Sequence, residues 1–282
     1  MKKIEFDDIP NYTDLIYQII NQKKIKRNTK ASVLREYNNE KWKDIIQKFK
    51  DKSTISSEDV LFAEVNKKEE KVFFKKSEGF FLAKNEDIIN QHLEIYESIL
   101  SKYAKNSAGL VEIGAGFGGK LISLSRTKTF EKLNLYAGEL TESGRYLINF
   151  FADKMDVNIK TQHYDFRTSN INNFKIPENC IIFTSYALCY IPFLRKKIIK
   201  NILNLKPKSL VFFEPCYEHH NLKNVHNLLC KRYIELNDYT RNLDSIIHEL
   251  SNEDLISVKI NKNVIGSNPF LPISVIEILP KY

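Results

Sequence analysis

Residues 110–121 read LVEIGAGFGGKL, an apolar run broken by one acid, Glu112, and then by Gly114, Gly116, Gly118 and Gly119. Glycine reaches positive φ and lets a ligand approach where a Cβ would collide, and a turn that enters a helix offers unpaired N–H groups. Gly114, Gly116 and Gly119 fit GxGxxG, whereas Gly114, Gly116 and Gly118 fit GxGxG, so the glycines alone do not choose between nucleotide-derived cofactors. A dinucleotide turn lays a pyrophosphate against its amides and usually carries an apolar residue where Glu112 stands. A carboxylate there favours an amine-bearing or cationic ligand over a diphosphate.

Strand-like and helix-like runs alternate downstream of this turn. GLVEI (109–113), LNLYAGE (133–139), NIKTQHY (158–164), CIIFTSY (180–186) and SLVFFE (209–214) read as strands, with helical segments at 119–127, 142–155 and 193–205. Such alternation predicts an α/β fold with a mostly parallel sheet covered by helices. The tail has helical patterns at 220–236 and 240–250, then LISVKI and ISVIEIL separated only by GSNPFLP, which requires an antiparallel last strand if the two pair. Upstream, residues 85–105 carry one more helix, and VFFKKSEGFFLA (72–83) reads as a short hairpin or a cofactor-covering loop. Residues 1 to about 50 show helical periodicity. The expected division is an N-terminal helical extension and lid at 1–84 and a cofactor-binding domain at 85–282.

The chain of 282 residues is 43% hydrophobic, enough for a sizeable core. MKKIEFDDIP lacks the apolar centre of a signal peptide, and no run approaches the ~18 to 20 apolar residues of a membrane span. No membrane span and a cytoplasmic location are therefore expected. The four cysteines form no CxxC pair and read as reduced core thiols. The net charge of +8 is spread over helix faces rather than gathered in one tract, so nucleic acid is not the favoured partner.

The run from Glu112 through Ile113, Gly114, Ala115, Gly116, Phe117 and Gly118 resembles the first motif of class I S-adenosylmethionine-dependent methyltransferases: an acid, an apolar residue, then GxGxG. Glu139, ending the second strand, matches the acid that binds the ribose hydroxyls in that family. Asp165 and Phe166, after the third, match the acidic residue that meets the adenine amine and its neighbour. The resemblance spans roughly residues 85 to 282 and implies S-adenosylmethionine as cofactor and a Rossmann-like methyltransferase sheet. Read singly, Glu139 and Asp165 are ordinary surface acids; at successive carboxyl ends of parallel strands they should face one crevice with Glu112.

Methyl transfer to a hydroxyl needs a nucleophile aligned with the sulfonium and a group that takes its proton. TSYALCYIP (184–192) lacks the (N/D)PP(Y/F) tetrapeptide of many amino-directed nucleic-acid methyltransferases, and its Tyr186 and Tyr190 suit an acceptor pocket, a shield over the cofactor's sulfonium, which would make Tyr186 a cofactor contact, or the core. FFEPCYEHHNLKNVH (212–226) holds three of the six histidines, and it supplies His219 as first candidate base, His220 as second and Glu218 as a carboxylate partner or base. Glu, His and Asp also suit a divalent ion, but no compact ligand set emerges and a metal is not favoured. The FEP and EHH arrangement with the GSNPFLPISVIEI tail looks like bacterial sugar O-methyltransferases, which implies a sugar or similar polar metabolite as the small-molecule acceptor. The rival readings are an RNA methyltransferase, which needs a continuous basic surface, and a non-catalytic binding protein on the same fold.

Overall fold

The computed structural model describes residues 1–6, 13–65, 70–77, 79–168 and 174–282. Its ten strands, β1 (Lys2–Ile4), β2 (Lys71–Lys76), β3 (Gly79–Lys84), β4 (Gly109–Ile113), β5 (Asn134–Glu139), β6 (Ile159–His163), β7 (Ile181–Ser185), β8 (Ser209–Pro215), β9 (Ile256–Gly266) and β10 (Ile273–Pro280), form one sheet in the order β1-β3-β2-β9-β10-β8-β7-β4-β5-β6. Strands β4 to β8 pair only in parallel with one another, as the strand–helix alternation predicts. Every pairing from β8 outward to β1 is antiparallel, so over the whole sheet antiparallel pairings outnumber parallel ones. The expectation of a mostly parallel sheet is therefore corrected. The 72–83 segment is a hairpin, as read, but it docks on β9 and extends the sheet, with β1 added beyond it. Sequence periodicity identifies a hairpin without naming the edge it joins.

The helices are α1 (Thr13–Asn21), α2 (Lys30–Val33), α3 (Trp42–Phe49), α4 (Ser57–Leu61), α5 (Asn85–Leu100), α6 (Gly119–Ser125), α7 (Glu142–Lys154), α8 (Lys196–Leu203), α9 (Val225–Leu236) and α10 (Leu243–Asn252). A π-helical stretch at Leu34–Lys41 joins α2 to α3, and a reciprocal Thr29–Ser32 capping box starts the run. Residues 13–61 thus hold α1 to α4 and the π-helical stretch, joined by non-helical segments at 22–29 and 50–56, and β1, β2 and β3 join the sheet.

Parallel strands covered on both faces read as mainly apolar runs, and β4, β7 and β8 are wholly buried, their few polar residues included. One layer packs Ile198, Ile199 and Ile202 of α8 and Ile246 and Ile247 of α10 against Val111, Ile182 and Phe212. The opposite layer sets Ile88 and Tyr96 of α5 with Leu121 and Leu124 of α6 against Leu110, Phe183 and Phe213. Helix α3 lies over α6 and α7, with Trp42, Ile45 and Phe49 against Phe117 and Phe151. That packing brings the N-terminal segment over the carboxyl end of β4. No helix among the described residues is long and apolar enough to cross a membrane.

Candidate functional site

A cavity of about 440 Å³ opens where β4, β5 and β7 end, a size within the range of small-molecule sites. Its floor is the turn after β4. Gly114, Gly116 and Gly118 have φ of +77°, +59° and +84°. A Cβ on Gly114 would stand 2.3 Å from that of Ala187, and one on Gly116 would press at 3.0 Å on the Trp42 indole. At these two positions the turn needs glycine for its dihedrals and for space.

The second strand ends in Glu139, whose carboxylate is bound before any ligand arrives. Gly116 N–H donates to its Oε2 (2.9 Å), while the backbone N–H and hydroxyl of Thr141 donate to Oε1 (2.8 and 2.6 Å). Burial pushes this acid above the usual carboxylate range, and the bonds from Thr141 and Gly116 oppose the rise. Past β6, Asp165 accepts from the Arg167 amide (3.0 Å) and pairs with Lys30 (2.7 Å). Burial favours its neutral form, but the Lys30 ammonium and the Arg167 amide outweigh it and hold the acid below its ordinary value. Phe166 lies beside it in the lining.

At the end of β7, Tyr186 takes φ +51°, uncommon for a bulky side chain, and it belongs to the cavity lining. The loop it opens is held by Glu214, fully buried, which accepts from Thr184 Oγ1 (2.8 Å) and from the amides of Ala187 (2.9 Å), Leu188 (3.1 Å) and Cys189 (3.3 Å). The N-terminal segment closes the rim. Val33, Tyr37, Trp42, Leu61 and Val65 line the cavity. Tyr37 and Tyr190 meet hydroxyl to hydroxyl, and Asn38 accepts from Ser143 N–H (3.0 Å).

Of the residues expected at a cofactor site, Gly114, Ala115, Gly116, Glu139, Asp165, Phe166 and Tyr186 come together around this cavity. Gly118 does not line it, and neither does Glu112. Glu112 is fully buried, and the Lys120 ammonium, 3.1 Å from its Oε1, stands in the lining instead. Burial lifts Glu112 to about 6 despite that cation.

The polar cluster after β8 lies elsewhere: His219, Glu218 and His220 are absent from the lining. Glu218 accepts from the Asp244 N–H (2.6 Å), the Ser245 N–H (3.0 Å) and the Ser245 hydroxyl, closing the first turn of α10. His219 bonds Ser274 Oγ through Nδ1 (2.7 Å), with Asp244 Oδ1 3.1 Å from Nε2. His220 meets Asn227 (3.3 Å), and His226 the Pro269 carbonyl (2.7 Å). The chain after β8 does not carry these side chains to the crevice, because it folds back at once into a short turn over Tyr217–His219 packed against α10 and β10. Among the described residues no group of three His, Cys, Asp or Glu gathers as metal ligands would.

The cavity has a histidine that the sequence reading passes over. His92, on α5, is 7% exposed and sits between Tyr96 OH (3.4 Å from Nδ1) and Ser267 Oγ (3.4 Å from Nε2), with Tyr96 OH 3.0 Å from Ser185 Oγ. Burial, and then the charge of Lys120, pull its pKa down to about 4, so the imidazole is neutral at pH 7. Its i, i+4 relation to Tyr96 was the available signal, but on an apolar helix face that spacing reads as core.

Solved structures resemble this one at low identity. The magnesium protoporphyrin IX methyltransferase of Synechocystis PCC 6803, with bound SAM, aligns at a TM-score of 0.50 and 12% identity over 89% of this chain and 96% of its own. An O-methyltransferase family protein from Burkholderia thailandensis aligns at 0.50 and 10% identity, over 69% of this chain and 58% of its own. No protein-family model matches the chain, and neither does any curated protein sequence. The likeness shows the fold alone: an α/β sheet of the Rossmann-like kind.

Proposed function

We propose that this chain binds S-adenosylmethionine and transfers its methyl group to a hydroxyl of a small molecule. The observation that carries this reading is the meeting of Glu139, Asp165 with Phe166, and the Gly114–Gly116 turn around one cavity. The donor set fits an adenosyl sulfonium. Glu139 is a carboxylate for ribose hydroxyls, Asp165 one for an amine, and Phe166 a flat apolar surface for a purine.

Bound there, the cofactor supplies an electrophilic methyl group; the remaining tasks fall to this chain's own side chains. Tyr37, Trp42 and Tyr190 keep water from the cavity and fix the position of an acceptor, which lowers the entropic part of the barrier. His92 accepts the hydroxyl proton in this reading, in place of the His219, Glu218 and His220 expected from the sequence, because it is the histidine of the cavity lining and its ring nitrogens have neighbours no closer than 3.4 Å. The aromatic lining favours a ring-bearing acceptor, a sugar among them. The 1–84 segment acts as the lid, and the acceptor is a small cytoplasmic metabolite.

The test is an incubation with methyl-labelled S-adenosylmethionine against a panel of glycosides, phenols, amines and acidic carbon compounds. Label transferred to an acceptor oxygen supports the proposal; label on nitrogen or carbon acceptors alone refutes the hydroxyl reading.

A further inference from the structure

The acid that opens the glycine turn is the group expected to greet an amine, yet the structure presents a cation in its place. Glu112 is fully buried and outside the cavity lining, whereas Lys120, whose side chain is 29% exposed, lies in the lining with its Nζ 3.1 Å from Glu112 Oε1. Apart from that ion pair, neither oxygen of Glu112 has a hydrogen-bond partner of good geometry. A buried carboxylate with one cation and little else is a device for holding that cation in place, since removing either member would leave an uncompensated charge.

Resting on the cofactor reading above, we infer that Lys120 binds the α-carboxylate of the cofactor's amino-acid end, and that Glu112 is a positioning residue that fixes the lysine. The charges of the cofactor admit no other partner. Adenosine is neutral, the sulfonium and the ammonium are cationic and would be repelled, and the carboxylate is the sole anion. The other cation of the lining, Arg167, is committed to the Tyr190 carbonyl (2.8 Å) and stands beside Asp165. Lys120 follows Gly118 by two residues and Glu112 precedes Gly114 by two, so the pair brackets the turn. The first motif then works differently from its family pattern: a lysine makes the contact and the acid serves the lysine.

Titration calorimetry with S-adenosylhomocysteine and 5′-methylthioadenosine, which lacks the amino-acid end, tests this. Wild-type protein should bind the first more tightly. In Lys120→Met its affinity should fall about tenfold or more, the scale of a lost charged hydrogen bond, while methylthioadenosine binding is unchanged; Lys120→Arg should restore most of the loss. Unchanged S-adenosylhomocysteine affinity in Lys120→Met, or an equal loss for both ligands, overturns the inference. Should that variant not fold because Glu112 is left unpaired, the double variant Glu112→Gln/Lys120→Met carries the same expectation. Wild-type binding of both ligands with equal affinity also overturns the role of Lys120 but spares the cofactor reading, whereas binding of neither removes both.

Discussion

His92 and His219 are equally buried, at 7% exposure, and each ring has polar neighbours at both nitrogens. The neighbours of His219 are close, with Ser274 at 2.7 Å and Asp244 at 3.1 Å, and they tie the exit of β8 to β10 and α10. Those of His92 stand at 3.4 Å on either side, and it lines a cavity. A tightly held imidazole between strand and helix serves the fold. A loosely held one beside open space is free to meet a ligand. Density of polar residues along a chain does not distinguish the two, because it says nothing of what each side chain already satisfies.

Replacing the two histidines breaks this comparison most sharply. His92→Ala should lower methyl transfer by about 10² to 10⁴-fold, the usual worth of a positioned general base, without changing affinity for S-adenosylhomocysteine. His219→Ala should leave turnover near wild type and lower the midpoint of thermal unfolding. Initial rates with labelled cofactor and a melting curve on each variant read both outcomes, and the reverse pattern would restore His219 as the base. Next in size, Glu139→Ala should weaken cofactor binding by roughly 1 to 3 kcal/mol, because a charged acceptor is lost and the Gly116 amide loses its partner. Calorimetry giving an unchanged affinity would remove Glu139 from the site. Smaller still, Glu218→Ala should cost about 1 kcal/mol in urea unfolding, as the α10 amides lose their acceptor, with cofactor binding unaffected.

The buried histidines also give stability a pH dependence. Burial holds His92, His220 and His226 at about 4, against an ordinary 6.5. The unfolded chain therefore takes up protons below about 6.5 that the folded chain refuses until about 4. The unfolded state binds more protons across that window, so stability rises with pH through it and falls as pH drops from 6.5 toward 4. His226→Gln should flatten that slope in a series of melts; a slope as steep as wild type would show that His226 is not among its sources.

The conformation of the glycine turn and the placement of the strand-end acids were legible because both follow from the backbone and from order along the chain: positive φ at Gly114 and Gly116, and a carboxylate closing β5 and following β6. Direction in space was not legible. Nothing in LVEIGAGFGGKL says that Lys120 turns back to cover Glu112, which depends on how α6 leaves the turn. The 72–83 hairpin was readable, but its docking on β9 depends on an edge that sequence periodicity does not identify. His92 was hidden for a related reason. A single polar residue in an apolar helical stripe has the same signature whether it meets core or cavity.

The measurement that bears hardest on the site is titration calorimetry of S-adenosylhomocysteine into wild-type protein and into Glu139→Ala/Asp165→Ala. A single saturable site in the wild type, lost in the double variant while its melting curve still shows a cooperative fold, is the result expected. No heat of binding at saturating ligand, or full affinity in the double variant, would contradict it.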